Sequence, residues 1–196
     1  MRTATLSRQT KETQIEVTIN LDGTGQAEVS TGVGFFDHML THLAKHGSFD
    51  IRVAAKGDLE IDAHHTVEDV GICLGQAFLK AIGTPEGIAR FGHAVLPMDE
   101  ALAEAAVDIS GRPFLEYRAE LPRQRVGEFD SELAEEFFRA FAVNGRVTLH
   151  IMLRHGSNAH HSIEVMFKVV ARALRRAVEF DPRAKGIPST KGMLQA

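Results

Sequence analysis

The chain has 196 residues, 44% of them apolar, and a formal net charge of −4, enough to fill one well-buried core or two small halves that share one. No apolar run reaches membrane-spanning length and the N-terminal Met1-Arg2-Thr3-Ala4-Thr5 lacks a signal-peptide stretch, so a soluble cytoplasmic protein is expected. The acidic balance argues against broad nucleic-acid binding, which needs a basic face, yet a few convergent Arg and Lys can still hold one small anion.

Along the chain, Ile15, Val17, Ile19 and Leu21 alternate as a strand, Asp22-Gly23-Thr24-Gly25 reads as a turn, and residues 27–29 as a second strand. A helix is predicted over residues 35–46, a strand over 49–53, and a second helix through Val67, Val70, Leu74, Ala77 and Phe78. Gly83-Thr84-Pro85-Glu86-Gly87 is the junction. Beyond it come strands near 91–96, 101–109 and 114–121, a helix over 133–143, a strand over 147–151, and a helix through Ile163, Met166, Phe167, Val170 and Leu174. The alanines of 101–106 favour helix by propensity, and only the repeat described next argues for a strand.

The segment His64-His65-Thr66-Val67-Glu68 returns as His160-His161-Ser162-Ile163-Glu164, 96 residues later at every polar position. With the flanking elements, each half reads ββαβα, a sheet with helices on one face that hides its apolar surface best against its twin. The expected fold is α+β: a two-layer sandwich of two pseudo-twofold-related ββαβα halves, similar to ribosomal protein S5 domain 2. The repeats would cover about 10–84 and 88–180 of a single domain, 1–196.

A helix turns about 100° per residue, so Glu68 lies roughly 40° from His64 and roughly 60° from His65 on the other side, while the two histidines diverge by about 100°. One ion can take Glu68 with one of them, so the second should face a different ion. The same holds for His160, His161 and Glu164, and two repeats thus provide ligands for two mononuclear sites. Cys73 is the single cysteine, so any metal here relies on nitrogen and oxygen donors. Such donors suit manganese or ferrous iron, although zinc binds them at least as tightly. A lone helical histidine is ordinarily a surface or core residue, but packing alone would not demand the same polar triplet twice. His38, His42 and His46 recur at i, i+4 and i+8, a pattern that an exposed polar stripe would also give; His93, His150 and His155 read as structural.

Gly34-Phe35-Phe36-Asp37-His38-Met39-Leu40, both H-H-x-x-E blocks, Leu149-His150, and Pro188-Ser189-Thr190-Lys191-Gly192 together resemble the imidazoleglycerol-phosphate dehydratase family, from about Thr10 to the C-terminus. The resemblance implies a lyase of histidine biosynthesis. It would eliminate water from imidazole glycerol phosphate to give imidazole acetol phosphate, with manganese at two sites per subunit, in a cytoplasmic homo-oligomer of 24 subunits and with no nucleic-acid or membrane partner. By the same resemblance the metal ligands are His38, His64, His65, Glu68, His160, His161 and Glu164. Glu12 matches a proton-transfer carboxylate and, with Glu68 and Glu164, is a catalytic candidate. Substrate contacts are Glu12, His38, His46, His64, Arg90, Arg112, His160, Lys168, Ser189, Thr190 and Lys191, with residues 181–196 as a tail closing over the phosphate. His42 is read as peripheral. One departure matters: where many relatives carry Glu-His-Phe-Phe, this chain has Glu135-Glu136-Phe137-Phe138. Glu136 matches His38 across the repeat, so it stands either as a replacement metal ligand or as a solvated glutamate.

The reaction must expel a poor leaving hydroxyl and break a C–H bond with no adjacent carbonyl. A substrate ring held as imidazolate between two metals would solve both, pushing out the hydroxyl through a diazafulvene-like intermediate. Two rivals remain. A dinuclear metallohydrolase needs a bridging carboxylate and metals about 3.5–4 Å apart. A non-catalytic metal-binding cage of the ferritin kind carries Glu-x-x-His on four helices, and this chain has the reverse order with strand-rich intervals.

Overall fold

The structure, a computed structural model, describes residues 1–121 and 124–194. The first half runs β1 (Thr3–Gln9), β2 (Thr13–Asn20), β3 (Ala27–Ser30), α1 (Gly34–Gly47), β4 (Asp50–Gly57) and α2 (His64–Ile82). The second runs β5 (Phe91–Met98), β6 (Ala101–Asp108), β7 (Phe114–Arg118), a two-residue hairpin of β8 (Arg125–Val126) with β9 (Phe129–Asp130), then α3 (Leu133–Gly145), β10 (Thr148–His155) and α4 (Ala159–Val178). Each half therefore opens with one more strand than the ββαβα pattern predicts. The extra strand of the first half, β1, escapes periodicity because only Ala4 and Leu6 of its side chains are apolar. As an edge strand it has little apolar surface to hide.

The sheets share one order, β1-β2-β4-β3 and β5-β6-β10-β7, in which the third strand of each half runs parallel to the fourth at the far edge. The turn at Asp22–Gly25 is accordingly no hairpin between β2 and β3. It carries the chain past the end of β4, gathered there by the Asp50 carboxylate, which accepts from the backbone N–H of Thr24 (2.8 Å) and Gln26 (3.1 Å).

The alanine-rich segment is a strand because packing overrides propensity. Ala101, Ala103 and Ala105 point inward and are buried, and α4 lies so close that a Cβ on Gly92 of the adjacent strand would stand 1.9 Å from the Ala173 carbonyl oxygen. Only small side chains fit under such a helix. Helices α1 and α2 cover the first sheet, α3 and α4 the second, and the two helical faces oppose each other, α1 on α4 and α2 on α3. Gly75 permits the second contact, since a Cβ there would come within 2.6 Å of the Phe141 carbonyl. Phe36 meets Phe137 and Phe78 meets Phe141 between the halves, each pair with centroids 5.4 Å apart. This architecture brings the N-terminus of each H-H-x-x-E helix beside a helix of the other half. Among the described residues, no helix is long and apolar enough to cross a membrane.

A candidate metal centre

Both histidine pairs are seated by the same local device. A Cβ built on Gly57, the last residue of β4, would lie 2.0 Å from Thr66 Oγ1, and one on Gly156, just after β10, would lie 2.3 Å from Ser162 Oγ. The helix after each strand thus starts with its third polar residue pressed on a glycine, and both hydroxyls are buried without a hydrogen-bond partner. The helix starts are also closed by short polar side chains: the Asp62 carboxylate accepts from the His64 N–H at 2.7 Å, and the Asn158 side chain accepts from the His161 N–H at 3.2 Å.

The two rings of each pair diverge alike, with centroids 6.3 Å apart and planes at 86° for His64 and His65, and 6.1 Å and 82° for His160 and His161. His160 Nε2 and His38 Nε2 each lie 3.1 Å from Glu164 Oε2, and the three donor atoms fall within 4.8 Å of one another. The other oxygen, Oε1, is held by Lys168 Nζ at 2.5 Å and His42 Nε2 at 3.1 Å. Burial opposes ionisation of Glu164, but the Lys168 hydrogen bond, with His42 and His160, brings its pKa down to about 2. Burial pushes the His42 imidazole down to about 4 despite the Glu164 charge, so it is neutral near pH 7. His46, lowered by burial and then by Lys168 and Arg172, stacks on His42 at 5.4 Å. An ionised carboxylate with one oxygen braced and the other turned to two imidazoles is a donor set that suits a divalent cation.

The second histidine of each pair has its Nδ1 occupied. His65 Nδ1 meets Asp58 at 2.9 Å, and His161 Nδ1 meets Glu100 at 2.8 Å. In each case that hydrogen bond raises the imidazole pKa, and the His161 contact is the main cause holding Glu100 at about 2. A carboxylate on Nδ1 fixes the ring and leaves Nε2 as the ligand nitrogen. Glu12 stands beside one such nitrogen, its Oε1 4.0 Å from His65 Nε2. Sequence reasoning missed Asp58, Glu100 and the involvement of His42. Of these, His42 alone carried a signal, its i+4 spacing from His38.

The other predicted ligands lie apart from this cluster. His64 and Glu136 line a cleft of about 430 Å³ together with Glu132, Glu135 and Tyr117, and Glu68 is half-buried on the same helix as His64. Among the described residues, only His38, His160 and Glu164 approach closely enough to hold one ion. The left-handed residues ending α1 and α3, Ser48 and Arg146, are 98 residues apart, and that offset also relates His38 to Glu136 and His42 to Ala140. By the 96-residue offset Lys168 corresponds to Ile72, so the second carboxylate, Glu68, has neither brace.

Arg90, Arg112 and the tail sit elsewhere again. Arg90, at a left-handed φ of 69°, donates from Nε and Nη2 to Asp108 (2.7 and 3.1 Å) and from Nη1 to the Pro188 carbonyl (2.8 Å). Arg112 Nη2 is 3.7 Å from the same Asp108. Ser189 Oγ accepts from the Lys191 N–H at 3.2 Å, beside Thr190, and the start of the tail is pinned where the Gly87 N–H donates to Gly186 O at 2.9 Å. The last two tail residues, 195 and 196, lie outside the described residues. The Arg90 N–H donates to Ala177 O at the end of α4, whereas Glu164 is near its start, so these backbones are about 20 Å apart at about 1.5 Å per residue. Within one chain, Arg90, Arg112 and Ser189–Lys191 are not gathered with the histidine–glutamate cluster.

The family model described as imidazoleglycerol-phosphate dehydratase matches residues 31–174. A relative named imidazoleglycerol-phosphate dehydratase from Gluconacetobacter diazotrophicus is 61% identical over 194 residues, 98% of either chain, and one from Exiguobacterium sp. is 56% identical over 195 residues, covering both completely. The crystal structure of the Staphylococcus aureus imidazoleglycerol-phosphate dehydratase superposes with a TM-score of 0.83 at 42% identity, over 91% of this chain and 99% of that one. The Pyrococcus furiosus structure, in complex with (S)-C348, gives 0.83 at 40% identity over 96% and 100%.

Proposed function

Because this chain belongs to the imidazoleglycerol-phosphate dehydratase family, and so removes water from imidazole glycerol phosphate in histidine biosynthesis, we propose that it works with manganese at two sites per subunit in a cytoplasmic assembly of 24 subunits. The observation that carries the metal reading is the division of labour at Glu164: Lys168 and His42 hold Oε1, and Oε2 faces His38 and His160. The second site would use His64, Glu68 and Glu136, with His65 and His161 presenting Nε2 outward to ions shared with neighbouring subunits. When bound, the ions supply Lewis acidity toward the nitrogens of the substrate's imidazole.

The chain's own groups do the rest. Asp58 and Glu100 hold the imidazoles of His65 and His161 by Nδ1, fixing where Nε2 points. Glu12 is the carboxylate that moves the proton, as a base or shuttle. Lys168 reaches the substrate from the metal end, with His46 in the same pocket. Arg90 has two of its five N–H groups still uncommitted, and with Arg112, Ser189, Thr190 and Lys191 it would grip the phosphate. Since that group lies about 20 Å from Glu164 along α4, a complete site draws the two from different subunits. The outer face of the second sheet supports assembly: Phe91, Val95 and Phe114 are more than half exposed there, on rows that run across all four strands.

Calorimetric titration of metal-free protein with Mn²⁺ tests the ligand set. Two equivalents per subunit are expected for the wild type. Glu136→Gln should weaken the second site by about tenfold or more, and Glu136→His should largely restore it, since either a carboxylate or an imidazole can bind such an ion. The control is Glu135→Gln, because Glu135 is about 100° away around the helix and pairs with Arg139. Equal affinity in wild type, Glu136→Gln and Glu135→Gln would remove Glu136 from the site.

Metal is also expected to drive association, because ligands that meet only in the assembled form stabilise it by mass action. Sedimentation should show smaller species after chelation and recovery of the large one with Mn²⁺. A profile indifferent to both treatments rejects shared ligands.

A further inference from the structure

One buried carboxylate belongs to none of the ligand sets. Asp69 follows Glu68 in α2 and is 6% exposed. Its Oδ1 accepts from Arg8 Nε at 2.9 Å, and its Oδ2 accepts from Thr13 Oγ1 in a short hydrogen bond. A buried carboxylate is tolerated when it is paired and hydrogen-bonded, and both partners of Asp69 come from the ends of the β1–β2 hairpin. The bonds continue into its loop. With the Thr13 hydroxyl proton on Asp69, the Thr10 hydroxyl donates to Thr13 Oγ1 at 3.2 Å and accepts from the N–H groups of Glu12 (3.1 Å) and Thr13 (2.9 Å). The side chain of Glu12 is left half exposed, 4.0 Å from His65 Nε2.

The other half fastens the corresponding hairpin differently. The residue matching Asp69 is Val165, fully buried, and the loop between β5 and β6 is tied down by its own glutamate. Glu100 accepts from the N–H groups of Ser157 (3.2 Å) and Asn158 (2.8 Å) and contacts His161 Nδ1. That glutamate is fully engaged, whereas Glu12 has been relieved of the same duty.

We propose that Asp69 is the positioning residue for Glu12: through Thr13 and Thr10 it fastens the β1–β2 loop to α2, so that the Glu12 carboxylate stays uncommitted beside His65. The proposal rests on the reading that Glu12 moves the proton.

The test uses the assembled, Mn²⁺-loaded enzyme and Asp69→Val, which installs the residue the second half carries. Misplacing a reacting group by about 1 Å can cost about 100-fold, so kcat should fall about ten- to a hundred-fold, with KM and Mn²⁺ affinity held within about twofold. Because Asp69 acts through Glu12, adding Asp69→Val to Glu12→Gln should change kcat by less than about twofold. A severe Glu12→Gln with a harmless Asp69→Val leaves the Glu12 reading standing and removes the positioning role. Multiplying losses in the double variant, or Mn²⁺ affinity falling in step with kcat, would overturn it as well, the latter by showing that Asp69 merely holds α2. A harmless Glu12→Gln removes both readings together. If Asp69→Val does not assemble, Thr13→Val, isosteric but without the hydroxyl, is read by the same criteria, and a wild-type kcat there overturns the proposal.

Discussion

Chelated, metal-free protein is expected to turn over imidazole glycerol phosphate at less than about a thousandth of the Mn²⁺-restored rate. Lewis-acid stabilisation is worth several kcal/mol, and about 4 kcal/mol corresponds to a thousandfold. Glu164 is ionised near pH 7 and therefore no acid, and His42, with a pKa of about 4, is neutral. The measurement is a rate after exhaustive chelation, with elemental analysis of the same sample, followed by separate additions of Mn²⁺, Fe²⁺ and Zn²⁺. Full turnover in protein shown to be metal-free would sink the mechanism, and a clear preference for one of the three would identify the ion the donor set cannot.

Glu12→Gln should lower kcat by about 100- to 10,000-fold, the usual span for loss of a positioned proton carrier, and leave KM within a few-fold. The amide keeps the shape and the hydrogen bonds of the loop but cannot take a proton. Glu12 is the free carboxylate beside His65, since Asp58 is occupied by the Nδ1 of that ring. Steady-state rates at saturating substrate decide the matter, and an unchanged kcat would make Glu12 an ordinary solvated residue at a strand entrance.

The elements legible in the sequence are those with a strong apolar period. The four helices and the strands β2, β4 and β10 follow from it, and the repeat correctly overrules the helical preference of Ala101–Ala105. β1 is illegible because an edge strand with two apolar side chains has almost no period. The placement of β3 and β7 beyond the fourth strand of each half is encoded in no local signal. At the site, the divergence of each histidine pair is a property of helical geometry and could be read at once. Asp58, Glu100 and the two sides of Glu164 could not. Most of those contacts join residues such as His42 and Glu164, or Glu100 and His161, that lie far apart in sequence and meet only through packing. Asp58, by contrast, stands seven residues before His65 in a segment without periodicity, and Lys168 stands at helical spacing from Glu164. The length of α4, which separates Arg90 from Glu164, was readable as a helix, yet its consequence depends on knowing which end each residue occupies.

The charge surroundings of the two H-H-x-x-E helices differ more than their histidines do. Lys168, Arg172 and His46 gather near Glu164, while Glu132, Glu135 and Glu136 line the cleft at His64. An imidazole ring offers two nearly interchangeable nitrogens, and a perfectly duplicated site would accept it in either direction. The side chain of the substrate ends in a dianion, and the reversed pose would turn that dianion toward three glutamates. Repulsion from the acidic side would therefore disfavour one of the two directions. Duplication thus leaves two halves related by a pseudo-twofold rotation, and on the proposed function the later divergence of their charges would fix the direction of binding, so that Glu12 would meet a single prochiral face of the substrate.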